Sequence, residues 1–120
     1  MVELTPDELL TTTRAVRRRL DLTRQVEREL VAECVAIALQ APNAGNRQKL
    51  HFVVVTDAQK RASLANIHRK GSETYFELRR SSLATGTGNP TNYRTEKRVY
   101  DSALYLRDHL HEVPVHVIHA

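Results

Sequence analysis

The 120-residue sequence predicts a mixed α+β fold. Apolar residues recur at helical spacing in several stretches. Two short β-branched runs, over residues 51–56 and 113–118, interrupt those stretches, and turn-forming residues gather where the spacing changes. With 41% hydrophobic residues the chain can bury one modest core and is too short for two ordinary domains, so residues 1–120 are expected to form a single domain.

The first helix is announced by Thr5-Pro6-Asp7-Glu8: a capping hydroxyl, a proline at the first helical position, and a glutamate three residues after the threonine to complete a capping box. Leu9, Thr13, Val16 and Leu20 then share a face, which predicts a helix over 6–18. Residues 21–25 break the spacing. Over 26–39 it resumes, with Leu30, Cys34, Ile37 and Ala38 on one side and Glu27, Arg28 and Glu33 on the other, so this second helix is expected to pack on the core. Cys34 is the single cysteine; no internal disulfide is available to it, and its neighbours make it read as a small buried apolar residue.

Residues 51–56 read as a strand, and the lack of polar alternation in Phe52-Val53-Val54-Val55 predicts burial on both faces. Asp57 can cap a helix over 58–69 with Leu64 and Ile67 on one face, and Gly71 offers a stop. A further helical segment is expected over 72–80, carrying Tyr75, Phe76 and Leu78. Serine, threonine, glycine, asparagine and proline then dominate residues 81–94, as in a long loop. Helical spacing returns over 95–110 through Val99, Ala103, Leu106 and Leu110, and 113–118 reads as a second strand. There is no internal repeat and no linker.

The net charge of +4 is matched by Arg14, Arg17, Arg18 and Arg19 alone. No zinc-type C-x-x-C pair accompanies them, no RNP-like strand, and only two Phe and no Trp for base stacking, so a phosphate-bearing small ligand fits the cluster at least as well as a nucleic acid. For any one arginine the plainer reading is a solvated helix face. No apolar run approaches the roughly 20 residues that cross a bilayer, and the opening Met1-Val2-Glu3-Leu4 is acidic, so a cytoplasmic protein is expected. His109 with His111 and His116 with His119 have spacings that turn the paired rings apart, so no metal site is predicted. Gly86-Thr87-Gly88 is a weak match to a phosphate loop, and no nucleophile and base stand in a recognisable motif; the catalytic residues are left unassigned.

The most informative stretch is Ala41-Pro42-Asn43-Ala44-Gly45-Asn46-Arg47-Gln48-Lys49-Leu50, leading directly into His51-Phe52-Val53-Val54-Val55. Its proline and glycine interrupt regular structure, and three side-chain amides can both donate and accept hydrogen bonds, a combination suited to clasping a flat heterocycle. The plain alternative is an ordinary helix-to-strand turn. Together with Arg14-Ala15-Val16-Arg17, this stretch resembles the flavin-dependent nitroreductase family, with its opening R-x-S-x-R element and its A-P-S-x-x-N-x-Q-P-W loop before an F-V-V-V strand. The likeness covers roughly residues 11–65, and residues 101–118 are similar to the helix and strand midway through family members. Thr13 stands where an arginine is common, Ala15 where a serine is usual, and Lys49-Leu50 where Pro-Trp is frequent.

The resemblance implies an α+β fold with helices around a central, mostly antiparallel sheet, here without the family's C-terminal part. It also implies bound FMN, NADH or NADPH as electron donor, and a nitroaromatic, quinone or similar small-molecule acceptor. A homodimer would complete the flavin site, with no nucleic acid or membrane as partner. Carried over by position, Arg14 and Arg17 would hold the phosphate, with Arg18 available in a shifted register, and Pro42, Asn43, Asn46 and Gln48 would border the ring. The alternative is a truncated, catalytically inactive remnant of that fold, or an interaction protein.

Overall fold

The computed structural model describes residues 3–47, 49–86 and 92–119. The first helix, α1 (Pro6–Thr12), opens on the expected capping box: the Thr5 amide and hydroxyl donate to Glu8 Oε2 at 2.9 and 2.8 Å, and the Glu8 amide donates back to Thr5 Oγ1 at 3.3 Å. The helix stops well short of residue 18. The hydroxyls of Thr11, Thr12 and Thr13 donate to the carbonyls of Asp7, Glu8 and Leu9, and Thr13 leaves helical geometry at ψ 126°. Three consecutive side chains compete with the backbone ladder, which is why the spacing of Val16 and Leu20 does not extend it. The arginines from 14 to 19 therefore lie on an irregular segment rather than on a helix face.

Helix α2 (Arg28–Ala38) forms close to its expected bounds, but it buries none of its residues. Its apolar side, with Val26, faces Phe52, Val115 and Val117 across open cavities of about 360 and 460 Å³. Cys34 lines the first of them and is exposed, contrary to the sequence reading, because the cleft is not closed over it.

Strands β1 (Phe52–Val55) and β2 (His116–His119) pair antiparallel in the register Phe52 with His119 through Val55 with His116. The Phe52 and His119 rings meet at 5.5 Å. This two-stranded sheet has the predicted direction but is not covered on both faces: Val53 and Val54 are 51% and 44% exposed. The β-branched run reflects strand propensity here more than burial.

Between the strands in sequence come two contacting helices, α3 (Ala58–Thr85) and α4 (Tyr93–His109), followed by a 3₁₀ turn at Leu110–Glu112. Asp57 caps α3 by accepting from the Lys60 amide at 2.9 Å, as expected. Gly71 does not stop the helix, and the two predicted segments are one of 28 residues that runs on through residues 81–85 of the predicted loop. An isolated mid-helix glycine costs only about 1 kcal/mol, and beyond it Phe76 and Arg80 of α3 lie beside Tyr100 and Arg107 of α4. The stop falls instead at Gly86, in the left-handed region at φ 63°. Of the remaining predicted loop, residues 87–91 lie outside the described residues, and Tyr93 and Arg94 already belong to α4.

The core is small. Among the described residues only Ala65 and Phe76 are buried, and Phe76 sits between the Tyr75 and Tyr100 rings with the Arg107 guanidinium 4.9 Å above its own ring. Arg61 ties this helical pair to the strands: it donates to the carbonyls of Thr56 at 3.1 Å, His111 at 3.1 Å and Val113 at 2.6 Å. The Cα radius of gyration is 17.4 Å, against about 14 Å for a compact chain of this length. Apolar surface on α2 and the sheet is consequently open to a covering partner.

Candidate functional site: an arginine-lined groove

The segment between α1 and α2 is shaped by local hydrogen bonds. Arg14 Nη1 donates to the carbonyls of Thr11 and Thr13 at 3.1 and 2.7 Å, taking up acceptors left by the end of α1. Further on, Asp21 Oδ1 accepts from the Thr23 hydroxyl at 2.8 Å and from the amides of Thr23 and Arg24 at 3.1 and 3.2 Å. Led by the Thr23 hydroxyl, these donors hold the Asp21 carboxyl below its ordinary value. The guanidinium of Arg18 lies 5.7 Å from the centre of the Tyr105 ring, which draws the segment toward α4.

The result is a groove of about 700 Å³ between this segment and α4, lined by Arg14, Arg17 and Arg18 on one side and by Thr95, Arg98 and Ser102 on the other. Arg17 is half-buried, and among the described residues neither it nor Arg98 donates a hydrogen bond to the protein. The one carboxylate on the groove, Asp101, is held by Lys97 Nζ at 2.8 Å, and that contact raises the Lys97 pKa. A partly desolvated guanidinium without a carboxylate partner favours an external anion, and planar N–H forks suit phosphate oxygens.

The structure thus brings together the three arginines named from sequence and adds three residues that sequence reading missed. Thr95, Arg98 and Ser102 are spaced by three and four, so they fall on one face of α4. That signal was available in the sequence but was read only for the neighbouring apolar stripe.

The amide loop lies elsewhere. Asn43 is half-buried with extended backbone and leads into a 3₁₀ turn at Ala44–Asn46, in which Gly45 takes φ 65°, a conformation that side chains disfavour. Neither exposed Pro42 nor Asn43 lines the arginine groove. The backbone of Asn46 closes the turn, and Gln48 lies outside the described residues. Within one chain the arginines and the described residues Pro42 and Asn43 are therefore not gathered around one cavity.

Among the described residues no group of three or more His, Cys, Asp or Glu could hold a metal ion. His109 Nδ1 is instead 2.7 Å from Glu112 Oε1, and His116 Nε2 is 2.8 Å from the Leu110 carbonyl oxygen. No described helix is long and apolar enough to cross a membrane; α3, the longest, is strongly charged.

Fold and groove together define an α+β protein with an arginine-lined cleft of small-ligand size. A model of the nitroreductase family matches residues 10–119, so the chain belongs to the nitroreductase family. Members of that family are oxidoreductases, typically dimeric, that typically use FMN and NAD(P)H. No curated protein and no solved structure matches the chain.

Proposed function

We propose that the protein is an FMN-dependent oxidoreductase of nitroreductase type, acting as a cytoplasmic homodimer that takes electrons from NADH or NADPH and reduces a nitroaromatic, a quinone or a similar flat acceptor. The observation that carries this reading is the half-buried Arg17, without a hydrogen-bond partner among the described residues, in a groove shared with Arg14, Arg18 and Arg98. Those residues fit the phosphate end of the cofactor. Arg17 would hold the phosphate through paired N–H donors, while Arg98 on the facing wall, Arg14, braced on the end of α1, and Arg18, set against Tyr105, keep the groove positively charged.

The ring end would be met by Pro42, Asn43, Asn46 and Gln48 from a second copy of the chain. The separation of that loop from the arginine groove within one chain supports a composite site, and the uncovered apolar side of α2 supports a face where copies meet. When bound, FMN supplies the capacity to accept and pass on a hydride; the chain's own residues bind it, orient it and place positive charge near it.

Titration of FMN against the purified protein, followed by flavin fluorescence, tests the reading. Saturable binding is expected, and Arg17→Ala should weaken it by about 10- to 100-fold, the loss of one hydrogen-bonding interaction with a charged group. Flavin that stays free in the presence of the native protein, or an Arg17→Ala variant that binds it as well, would remove the assignment.

A further inference from the structure

We infer that the arginine groove holds two phosphoryl groups rather than one. The inference rests on the reading of this groove as a phosphate site and concerns how much phosphate it takes. Four guanidiniums line it from two separate elements, and its one carboxylate, Asp101, is already engaged by Lys97 at 2.8 Å. A phosphomonoester brings about two negative charges at neutral pH. That balances half of the four guanidiniums and leaves like charges facing one another across the groove.

The arrangement of donors supports the same count. Arg17, on the segment after α1, and Arg98, on α4, each present a guanidinium that donates no hydrogen bond within the described residues. One free fork therefore stands on each wall, and a fork binds one phosphoryl group through two parallel N–H donors. Ser102, on the same face of α4 as Arg98, adds a hydroxyl on that wall. At about 700 Å³ the groove exceeds what one phosphate group fills and lies within the range of sites for nucleotide-sized ligands.

The two phosphoryl groups can come from one diphosphate or from two monoesters bound side by side. Calorimetric titration with orthophosphate and with pyrophosphate, at equal ionic strength and without divalent cations, tests the inference. Pyrophosphate is expected to bind at least about tenfold tighter, the gain of one further charge-assisted contact. Arg98→Gln should reduce pyrophosphate affinity to near that of orthophosphate while retaining orthophosphate binding at Arg17. Equal affinities for the two anions, or an equal loss of both in Arg98→Gln, would overturn the inference. Parallel titrations with FMN and FAD separate the sources: tighter FAD binding indicates one diphosphate ligand, whereas orthophosphate that adds to a preformed FMN complex indicates two monoesters. FMN binding without any pyrophosphate preference would overturn the two-phosphoryl site and leave the flavin reading standing. A pyrophosphate preference without FMN binding would do the reverse.

Discussion

Replacing Arg61 by leucine should cost about 2.5–4 kcal/mol of stability, because this one side chain joins the α3–α4 pair to both strands. Its guanidinium reaches the carbonyl at the end of β1 (Thr56, 3.1 Å) and two carbonyls on the path from α4 to β2 (His111, 3.1 Å, and Val113, 2.6 Å). The bond to Val113 is part-buried, so its loss carries the value of a hydrogen bond to a charged group, about 1.5–3 kcal/mol. The other two are exposed, where water replaces the donor, and add about 0.5 kcal/mol each. Leucine keeps much of the apolar stem, which isolates the polar contribution. Urea unfolding followed by far-ultraviolet circular dichroism measures the difference through the midpoint, provided that the slope is unchanged. Arg61→Lys should recover less than half of the loss, since one ammonium lacks the planar fork that serves several carbonyls. A destabilisation below about 0.5 kcal/mol, the range of ordinary surface changes, would refute the role given to Arg61.

Phe76 is one of two buried residues among those described, so Phe76→Ala should cost about 3–5 kcal/mol in the same unfolding assay, and a loss of under 1 kcal/mol would show that the α3–α4 contact is not the centre of the core. Gly86→Ala places a Cβ at φ 63° and should cost about 1–2 kcal/mol, visible as a lower unfolding midpoint; an unchanged midpoint would contradict the left-handed stop. The Glu8 carboxyl is held below its ordinary value of 4.5, first by the Thr5 amide and then by the Thr5 hydroxyl. A depressed carboxyl stabilises above its unfolded value and loses that contribution as pH falls through the folded one. The Cα chemical shifts of α1 should therefore move toward coil values as pH drops below about 4.5, and Glu8→Gln should remove that part of the pH dependence; helical shifts maintained to pH 3 would count against the capping box.

Local signals were the most legible part of the fold. The Thr5 to Glu8 capping box, the Asp57 cap, the existence of α2, β1 and α4, and the antiparallel strand pair implied by the family resemblance all appear in the structure. Competition was harder to read. The apolar spacing of Val16 and Leu20 was outweighed by three threonine hydroxyls that draw carbonyls off the ladder, and Gly71 was outweighed by packing along α4. Burial was the least legible, because an apolar stripe states what a segment can cover and not whether anything covers it. Cys34, Val53 and Val54 carry that lesson: each lies in an apolar run and each is exposed.

The site was legible in halves. Arg14 and Arg17 could be named because the resemblance marks their positions, and Arg18 because it adjoins them. Arg98 is more than 80 positions away from Arg14, and only the folding of α4 beside that segment makes it a neighbour. Of the amide loop expected at the same site, the described residues Pro42 and Asn43 do not line the arginine groove.

A crystal structure of the protein grown with FMN tests the central claim most directly. The phosphate is expected within hydrogen-bonding distance of Arg17, and the ring beside Asn43 of a second copy. Density for FMN away from the arginine groove, or a dimer whose amide loops point away from both grooves, would contradict it.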